Sequence, residues 1–367
     1  MKSRLSVVCL SVYPSEGPST RHRILAYAKA WSEAGIALDL QPFLTHGLYR
    51  NRRRFGPLWS LYKAIQFAFC TLRLMVRLTL LARYDVVVIH REAFPLGGPW
   101  FERLATRINP ATVFDLDDAI WLPMPLAVNQ RALFWDSERV ARIMGQCAAV
   151  VAGNAFLADY ARRHNRFVHV IPTPYADLGG GVGGQRATDP PIVVWIGNVG
   201  NEEYLDMVRK PLARLAREVP FVLRVIGSAE ATAFRMEGVN VQTVLWSEER
   251  ERDWLLESAI GIMPLADRDY ERGKCSFKLI QYFSAGLPVV ASPVGMNAEV
   301  VRHGDNGFLA QGEEQWYEYL KRLLCDKSLR EAMGASGYAT FQRDFTRTRN
   351  ALRWLEVFAA IRVQRAD

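Results

Sequence analysis

A chain of 367 residues, half of them hydrophobic and 23% charged, is too long for one small core and too apolar for disorder, so two globular domains are expected. The five cysteines, Cys9, Cys70, Cys147, Cys275 and Cys325, are dispersed without a C-x-x-C pair, which argues against a disulfide scaffold or structural zinc and for a reducing cytoplasm. The net charge of +8 is uneven, because no acidic residue lies between Asp39 and Asp85 while Arg50, Arg52, Arg53, Arg54, Lys63, Arg73, Arg77 and Arg83 do.

In chain order, Leu5–Val12 is a short apolar run that ends in a polar Tyr-Pro-Ser-Glu turn, so it reads as a first strand and not as a secretory segment. Helix is expected over Arg21–Ala34, closed by Gly35, then strand over Ile36–Leu40 and a long helix over Pro57–Ala82. Asp85–His90, Thr112–Leu116, Ala148–Ala152 and Phe167–Ile171 read as strands, with helices over Gly98–Ile108, Gln130–Met144 and Asn154–Arg163 between them. Strands that are continuously apolar, alternating with helices, imply a parallel sheet covered on both faces.

Leu178–Gly184 has linker composition. After it the alternation restarts: strands at Pro191–Ile196, Phe221–Ile226, Val239–Leu245 and Ile260–Leu265, a helix over Glu202–Glu218, and a helical tail from Glu313 to Val363 that follows a last strand at Gly307–Leu309. The division expected is a Rossmann-like domain over 1–177, a linker over 178–190, a second Rossmann-like domain over 191–343, and a helix over 344–367 that packs back on the first domain. Open α/β sheets bind ligands outside the carboxyl ends of their strands. Two such domains face to face would gather Pro18–Arg23, His90–Glu92, Asp115–Asp118, Gly197–Asn201, Gly227-Ser228 and Arg272–Lys278 around one cleft.

Gly273–Glu299 is the densest stretch: a loop, a helix over Ser276–Ala285, a Gly286-Leu287-Pro288 break, a strand over Val289–Ser292 and a turn at Gly295. A loop carrying Lys274 and Lys278 that feeds a helix N-terminus suits a phosphate, since the first N–H groups and the dipole favour an anion there. The plain alternative is an ordinary αβ unit with solvated lysines. No G-x-G-x-x-G follows the first strand, and no G-x-x-x-x-G-K-[ST], G-x-S-x-G or H-E-x-x-H occurs, which weakens dehydrogenase, P-loop, serine hydrolase and metalloprotease readings together.

Lys278–Ser292, with Gly295, Glu299 and Asn306–Leu309 downstream, resembles the C-terminal signature of retaining glycosyltransferases of family 4, which have the GT-B fold. Val194–Asn198, Val170–Thr173 and Asp85–Glu92 resemble further segments of that family in order. The resemblance implies transfer of a sugar from a UDP- or GDP-linked donor, with retention and without an essential metal or other cofactor, to a glycan or lipid-linked acceptor. It implies a donor site from Gly197, Asn198, Gly200, Asn201, Gly227, Lys274, Ser276, Phe277, Lys278, Gln281 and Glu299, with His90 and Lys278 as the catalytic residues. Acceptor contacts are expected from Arg21, Arg23, Arg91, Glu92, Asp117 and Asp118. Gly273 and Gln281 stand where the family often has two glutamates, so Asp267 or Glu271 is the candidate carboxylate at the sugar. Asn198 stands where an arginine is often found. A nucleotide-sugar epimerase of the same fold and a non-catalytic sugar-nucleotide or glycan-binding protein stay open as alternatives.

Asp115, Asp117 and Asp118 would suit Mg²⁺ or Mn²⁺, but helix capping and acceptor hydroxyl binding explain them without a metal. Trp121 and Trp135 could stack on a sugar, with core packing the plainer reading. The basic interval over 50–83 has no uncharged run long enough to span a bilayer, and with Arg50–Arg54 leading it suits a surface helix on an anionic membrane; the plain alternative is a buried Rossmann helix with a few exposed cations. The surface reading makes the protein cytoplasmic and peripheral at the inner face of the cell membrane. No nucleic-acid module accompanies the basic cluster, so no nucleic-acid partner is expected.

Overall fold

The computed structural model describes residues 5–122, 136, 138–181, 188–197, 201, 203–227 and 234–366. The chain divides into two compact units, Met1–Pro174 with Arg347–Asp367, and Tyr175–Thr346.

In the first unit, β1 (Leu5–Ser11), β2 (Ile36–Pro42), β3 (Val86–His90), β4 (Thr112–Leu116), β5 (Ala149–Ala152) and β6 (Val168–Val170) form a parallel sheet in the order β2-β1-β3-β4-β5-β6. The central strands β3 and β5 are rich in valine and buried throughout, as burial on both faces demands. Around them lie α1 (Pro18–Arg23), α2 (Ala28–Glu33), α3 (His46–Arg50), α4 (Pro57–Thr79), α5 (Trp100–Ile108), α6 (Arg139–Met144) and α7 (Ala155–Arg162). Asn154 caps α7, its side chain accepting from Leu157 N at 2.8 Å.

The single helix expected over Arg21–Ala34 is broken by a tight turn at Leu25–Tyr27. The break leaves Arg23, Tyr27 and Trp31, four residues apart, all fully buried. Tyr27 stacks on Trp31 at 5.3 Å, and Trp354 and Phe358 of the last helix meet Trp31 edge-on at 5.7 and 5.4 Å. Of the helix expected over Gln130–Met144, the described part is Arg139–Met144; Trp135 lies outside the described residues.

Two cations of the basic interval have a different place from the one expected. Arg73 donates to Pro42 O at 2.9 Å and Phe43 O at 2.6 Å, and Arg77 donates to Pro42 O at 2.9 Å. They cap carbonyls at the end of β2 instead of facing a membrane. Among the described residues no helix is long and apolar enough to cross a membrane.

The second unit holds β7 (Ile192–Ile196), β8 (Val222–Gly227), β9 (Val241–Leu245), β10 (Ile260–Met263), β11 (Val289–Ala291) and β12 (Gly307–Leu309), parallel in the order β12-β11-β10-β7-β8-β9. Its helices are α8 (Glu203–Asp206), α9 (Arg209–Leu215), α10 (Glu248–Leu256), α11 (Asp269–Arg272), α12 (Phe277–Ser284), α13 (Met296–Val300), α14 (Gly312–Cys325) and α15 (Lys327–Asp344). The final helix, α16 (Arg347–Ala366), belongs with the first unit. The helix expected over Glu202–Glu218 is split, because Pro211 cannot donate into a preceding turn and so sits in the first turn of a new helix.

The second unit begins at Tyr175, earlier than the 191 expected. Tyr175 N donates to Phe345 O at 3.0 Å, and the Asp177 carboxylate accepts from the Tyr338 hydroxyl at 2.9 Å. Gly180 is packed as well: its N–H donates to Ser284 O at 3.2 Å, and a Cβ there would lie 2.0 Å from the Ala285 carbonyl carbon. Residues 178–181 are therefore part of the second unit and not a free hinge; 182–187 lie outside the described residues.

Candidate functional site

In the second unit the chain lays β8 and β9 on one side of β7 and then returns to place β10 on the other. Ligands sit at the carboxyl ends of such a switch. Gly197 follows β7, its N–H donating to Ile226 O at 2.9 Å, and a Cβ there would strike the Trp195 ring at 2.2 Å. Asn198 and Gly200 lie outside the described residues. Asn201 O accepts from Tyr204 N at 3.2 Å and starts α8. Gly227 ends β8, its carbonyl accepting from Trp246 N at 2.7 Å.

The turn into α12 is fixed by buried polar side chains. Ser276 is left-handed, with φ 48°, and its hydroxyl donates to Asn297 Oδ1 at 2.7 Å. Asn297 Nδ2 donates to Ser292 O at 3.1 Å, and Ser292 Oγ accepts from Leu265 N at 3.0 Å. This chain ties the loops after β10 and β11 to the start of α12. Gly295, at φ 52°, completes the contact, since a Cβ there would lie 2.5 Å from Arg272 O. Asn297 and Ser292 carry no residue-type signal for this role, and only the fold brings them to Ser276.

The helix start so held carries the positive end of the dipole. Two lysines stand by it on aromatic faces. Lys278 Nζ lies 5.4 Å from the Trp195 ring centroid, and Lys274 Nζ lies 5.5 Å from Tyr204 and 5.1 Å from Tyr270. Both lysines, Gly197, Asn201 and Ser276 thus border the switch point. Phe277 packs edge-on against Tyr175 at 5.6 Å, and Glu299 lies on the exposed side of α13.

Gln281 faces the interior. It is 3% exposed, and its amide nitrogen donates to Glu251 Oε1 at 3.0 Å. Glu251, itself buried, also accepts from the Tyr175 hydroxyl and Trp246 Nε1. Glu251 was hidden from sequence reading within the charged run of α10. The two carboxylates proposed for the sugar diverge. Glu271 is fully buried, accepting from the Tyr204 hydroxyl at 2.6 Å and Arg268 Nε at 3.0 Å; burial pushes its carboxyl up, but these bonds hold it below the usual range. Asp267 is exposed and accepts from Arg272 Nε at 2.7 Å.

In the first unit the corresponding switch lies between β1 and β3. The register sets His90 opposite Ser11 on one side and Asp115 on the other. His90 Nδ1 is 2.8 Å from Asp115 Oδ2, and its Nε2 is 2.5 Å from Ser19 Oγ. A carboxylate on Nδ1 selects the Nδ1–H tautomer, which makes Nε2 the acceptor for the Ser19 hydroxyl. Asp115 is held from its other side by Arg23, through Nε at 3.0 and 3.1 Å and a terminal nitrogen at 2.8 Å.

Arg23 was expected to touch the acceptor, and the structure gives it a different task. It is fully buried and also donates to Ile171 O at 2.5 Å, so it braces Asp115 and β6. The other acceptor candidates separate. Arg91, left-handed at φ 64°, donates through Nε to Asp117 Oδ1 at 2.6 Å and through a terminal nitrogen to Asp118. Burial opposes ionisation of Asp117, but the Arg91 guanidinium outweighs it and holds the carboxyl well below the usual range. Glu92 turns to Arg139 at 3.2 Å, which also holds Glu102 at 2.8 Å. Arg21 lies beside His22, 3.4 Å from its Nε2, and burial followed by the charges of Arg21 and Arg347 lowers the His22 imidazole to about 3. Asp115 is hydrogen-bonded by Arg23 and His90, and Asp117 and Asp118 by Arg91; among the described residues no three metal-ligating side chains converge. Trp121 stacks on Tyr160 at 3.8 Å.

Residues 190–326, all within the second unit, match the family model described as Glycosyl transferases group 1. No curated protein sequence matches the chain. Among solved structures it is similar to sucrose-phosphate synthase from Thermosynechococcus elongatus, at 15% identity and TM-score 0.66 over 98% of this chain and 99% of that one. It is also similar to HepE of Anabaena in complex with UDP and glucose, at 14% identity and TM-score 0.67 over 97% and 100% of the two chains. A glycosyltransferase from Rickettsia africae gives 12% identity and TM-score 0.66 over 98% and 99%. These likenesses establish the fold, the two-unit GT-B architecture with its helical C-terminal segment.

Proposed function

We propose that the protein transfers a sugar from a nucleoside-diphosphate donor, UDP- or GDP-linked, to a hydroxyl of a glycan or lipid-linked acceptor, with retained anomeric configuration and without a metal ion. One observation carries the reading. In the unit that matches the glycosyltransferase model, the pinned start of α12 stands at the strand-order switch with Lys274 and Lys278 beside it. That arrangement suits a diphosphate. Negative charge develops on the diphosphate as the sugar leaves, and a fixed helix dipole with two ammonium groups stabilises it without reorganisation. Retention without a protein nucleophile follows if the departing phosphate takes the proton of the acceptor hydroxyl on the face it leaves. In the first unit His90, its tautomer fixed by Asp115, hydrogen-bonds a sugar hydroxyl through Nε2, with Ser19 holding that position until a sugar arrives.

The non-catalytic reading has an observation of its own. Gln281 and Glu271 are both turned into the interior and committed to partners, so neither replaces the glutamates that the family resemblance leads one to expect. A screen of UDP-, GDP-, ADP- and TDP-sugars separates the readings. Thermal stabilisation by one UDP- or GDP-sugar, with slow release of the free nucleotide, is the expected result. An isomerised sugar nucleotide would make the protein an epimerase, binding without turnover would make it a binding protein, and no stabilisation by any nucleotide would overturn both catalytic readings.

A further inference from the structure

On α4 the usual arrangement of a surface helix is inverted. Leu58, Leu61, Ile65, Phe69, Leu72 and Val76, spaced three or four apart, face away from the unit with exposures of 83, 60, 59, 53, 57 and 57%. Every exposed residue of α4 from 61 to 76 is apolar. The polar side chains turn the other way, with Arg73 and Arg77 donating to carbonyls at the end of β2. A helix that faces water carries its charges outside and its apolar stripe inside. An apolar strip from Leu58 to Val76, about 27 Å at the rise of an α-helix, marks a contact with something else.

The surroundings identify its chemistry. Arg52, Arg53 and Arg54 are exposed immediately before the helix, and no acidic residue occurs from 40 to 84. Arg54 lies over the Trp59 ring at 4.6 Å and Arg52 over Tyr49 at 3.9 Å, so both guanidinium groups stand on aromatic faces at the surface. The neighbouring α5 adds Trp100, 71% exposed, with Arg103 over its ring at 5.8 Å. A second copy of the chain would bring these like charges toward one another, whereas an anionic surface neutralises them. Tryptophan beside an apolar face and a basic cluster is the composition of a helix lying in a lipid headgroup layer.

We infer that α4 and Trp100 dock the first unit on an anionic lipid leaflet, the outward face of α4 sunk among the acyl chains and Arg52, Arg53 and Arg54 on the headgroups. The inference does not rest on sugar transfer. Flotation of the full chain with vesicles tests it, using phosphatidylcholine alone and phosphatidylcholine mixed with phosphatidylglycerol. The protein floats with the mixed vesicles, and salt weakens the association. Neutralising Arg52, Arg53 and Arg54 to Gln lowers partitioning about a hundredfold at low salt. The double variant Ile65→Glu, Phe69→Glu lowers it by at least about tenfold while leaving the melting temperature unchanged, because both side chains are exposed. Absence of the wild-type chain from the floated fraction, or equal flotation of the glutamate variant, overturns the inference. So does a dimer, seen by light scattering, that the same two glutamates dissociate while no vesicle is bound, since the occupant would then be a second copy.

Discussion

The switch point of the first unit is built on a buried ion pair and that of the second on neutral hydrogen bonds and a helix start. Between β1 and β3, Ser19, His90, Asp115 and Arg23 form one hydrogen-bonded chain whose last three members are buried. Between β7 and β10, the edge is a glycine, a left-handed serine and a helix start, with two lysines resting on aromatic rings. The first arrangement couples site and stability, because each member is also a structural tie. The second ties its helix start through Ser276, Asn297 and Ser292, while its two lysines lie over aromatic rings.

That difference can be broken by mutation. Arg23→Ala leaves Asp115 in the interior without its guanidinium, and removing one partner of a buried ion pair costs about 3–5 kcal/mol. The melting temperature of the first unit should fall by on the order of 10 °C. A fall of a degree or two would show that the chain is an ornament of the sheet and not a tie. Ser276→Ala should have a smaller effect. It strips Asn297 Oδ1 of its donor, a loss of about 1–3 kcal/mol, and loosens the start of α12, so nucleotide affinity falls with stability. Ser276→Gly relieves the left-handed backbone but loses the same bond, so chemical denaturation of the two variants separates strain from hydrogen bonding.

The same contrast explains what could be read from the residues. The strands were legible because β-branched runs buried on both faces have few other uses. The second-unit site was legible because Gly273–Glu299 carries the loop, helix, break and strand contiguously, so the sequence spells them in order. The first-unit chain was not, because His90 lies 71 residues from Ser19 and 25 from Asp115, and they meet only through strand register. Arg23 and Glu251 misled or stayed hidden for a related reason. A charged residue in a polar stretch reads as solvated until the fold shows a partner that takes it inside. For α4 the pattern announced an apolar helix with scattered cations on an anionic surface, but not that Arg73 and Arg77 would turn inward to the end of β2.

The central claim is that Lys278 and the start of α12 hold a diphosphate. Titration calorimetry of UDP and of uridine against the wild-type chain and Lys278→Ala tests it most directly. The account predicts that the variant loses about 10–100-fold in affinity for UDP, the worth of charge-assisted hydrogen bonds to a phosphate. Uridine affinity should stay within about twofold, since the nucleoside carries no charge for the ammonium group to hold. Equal losses for UDP and uridine, or none for either, would contradict it.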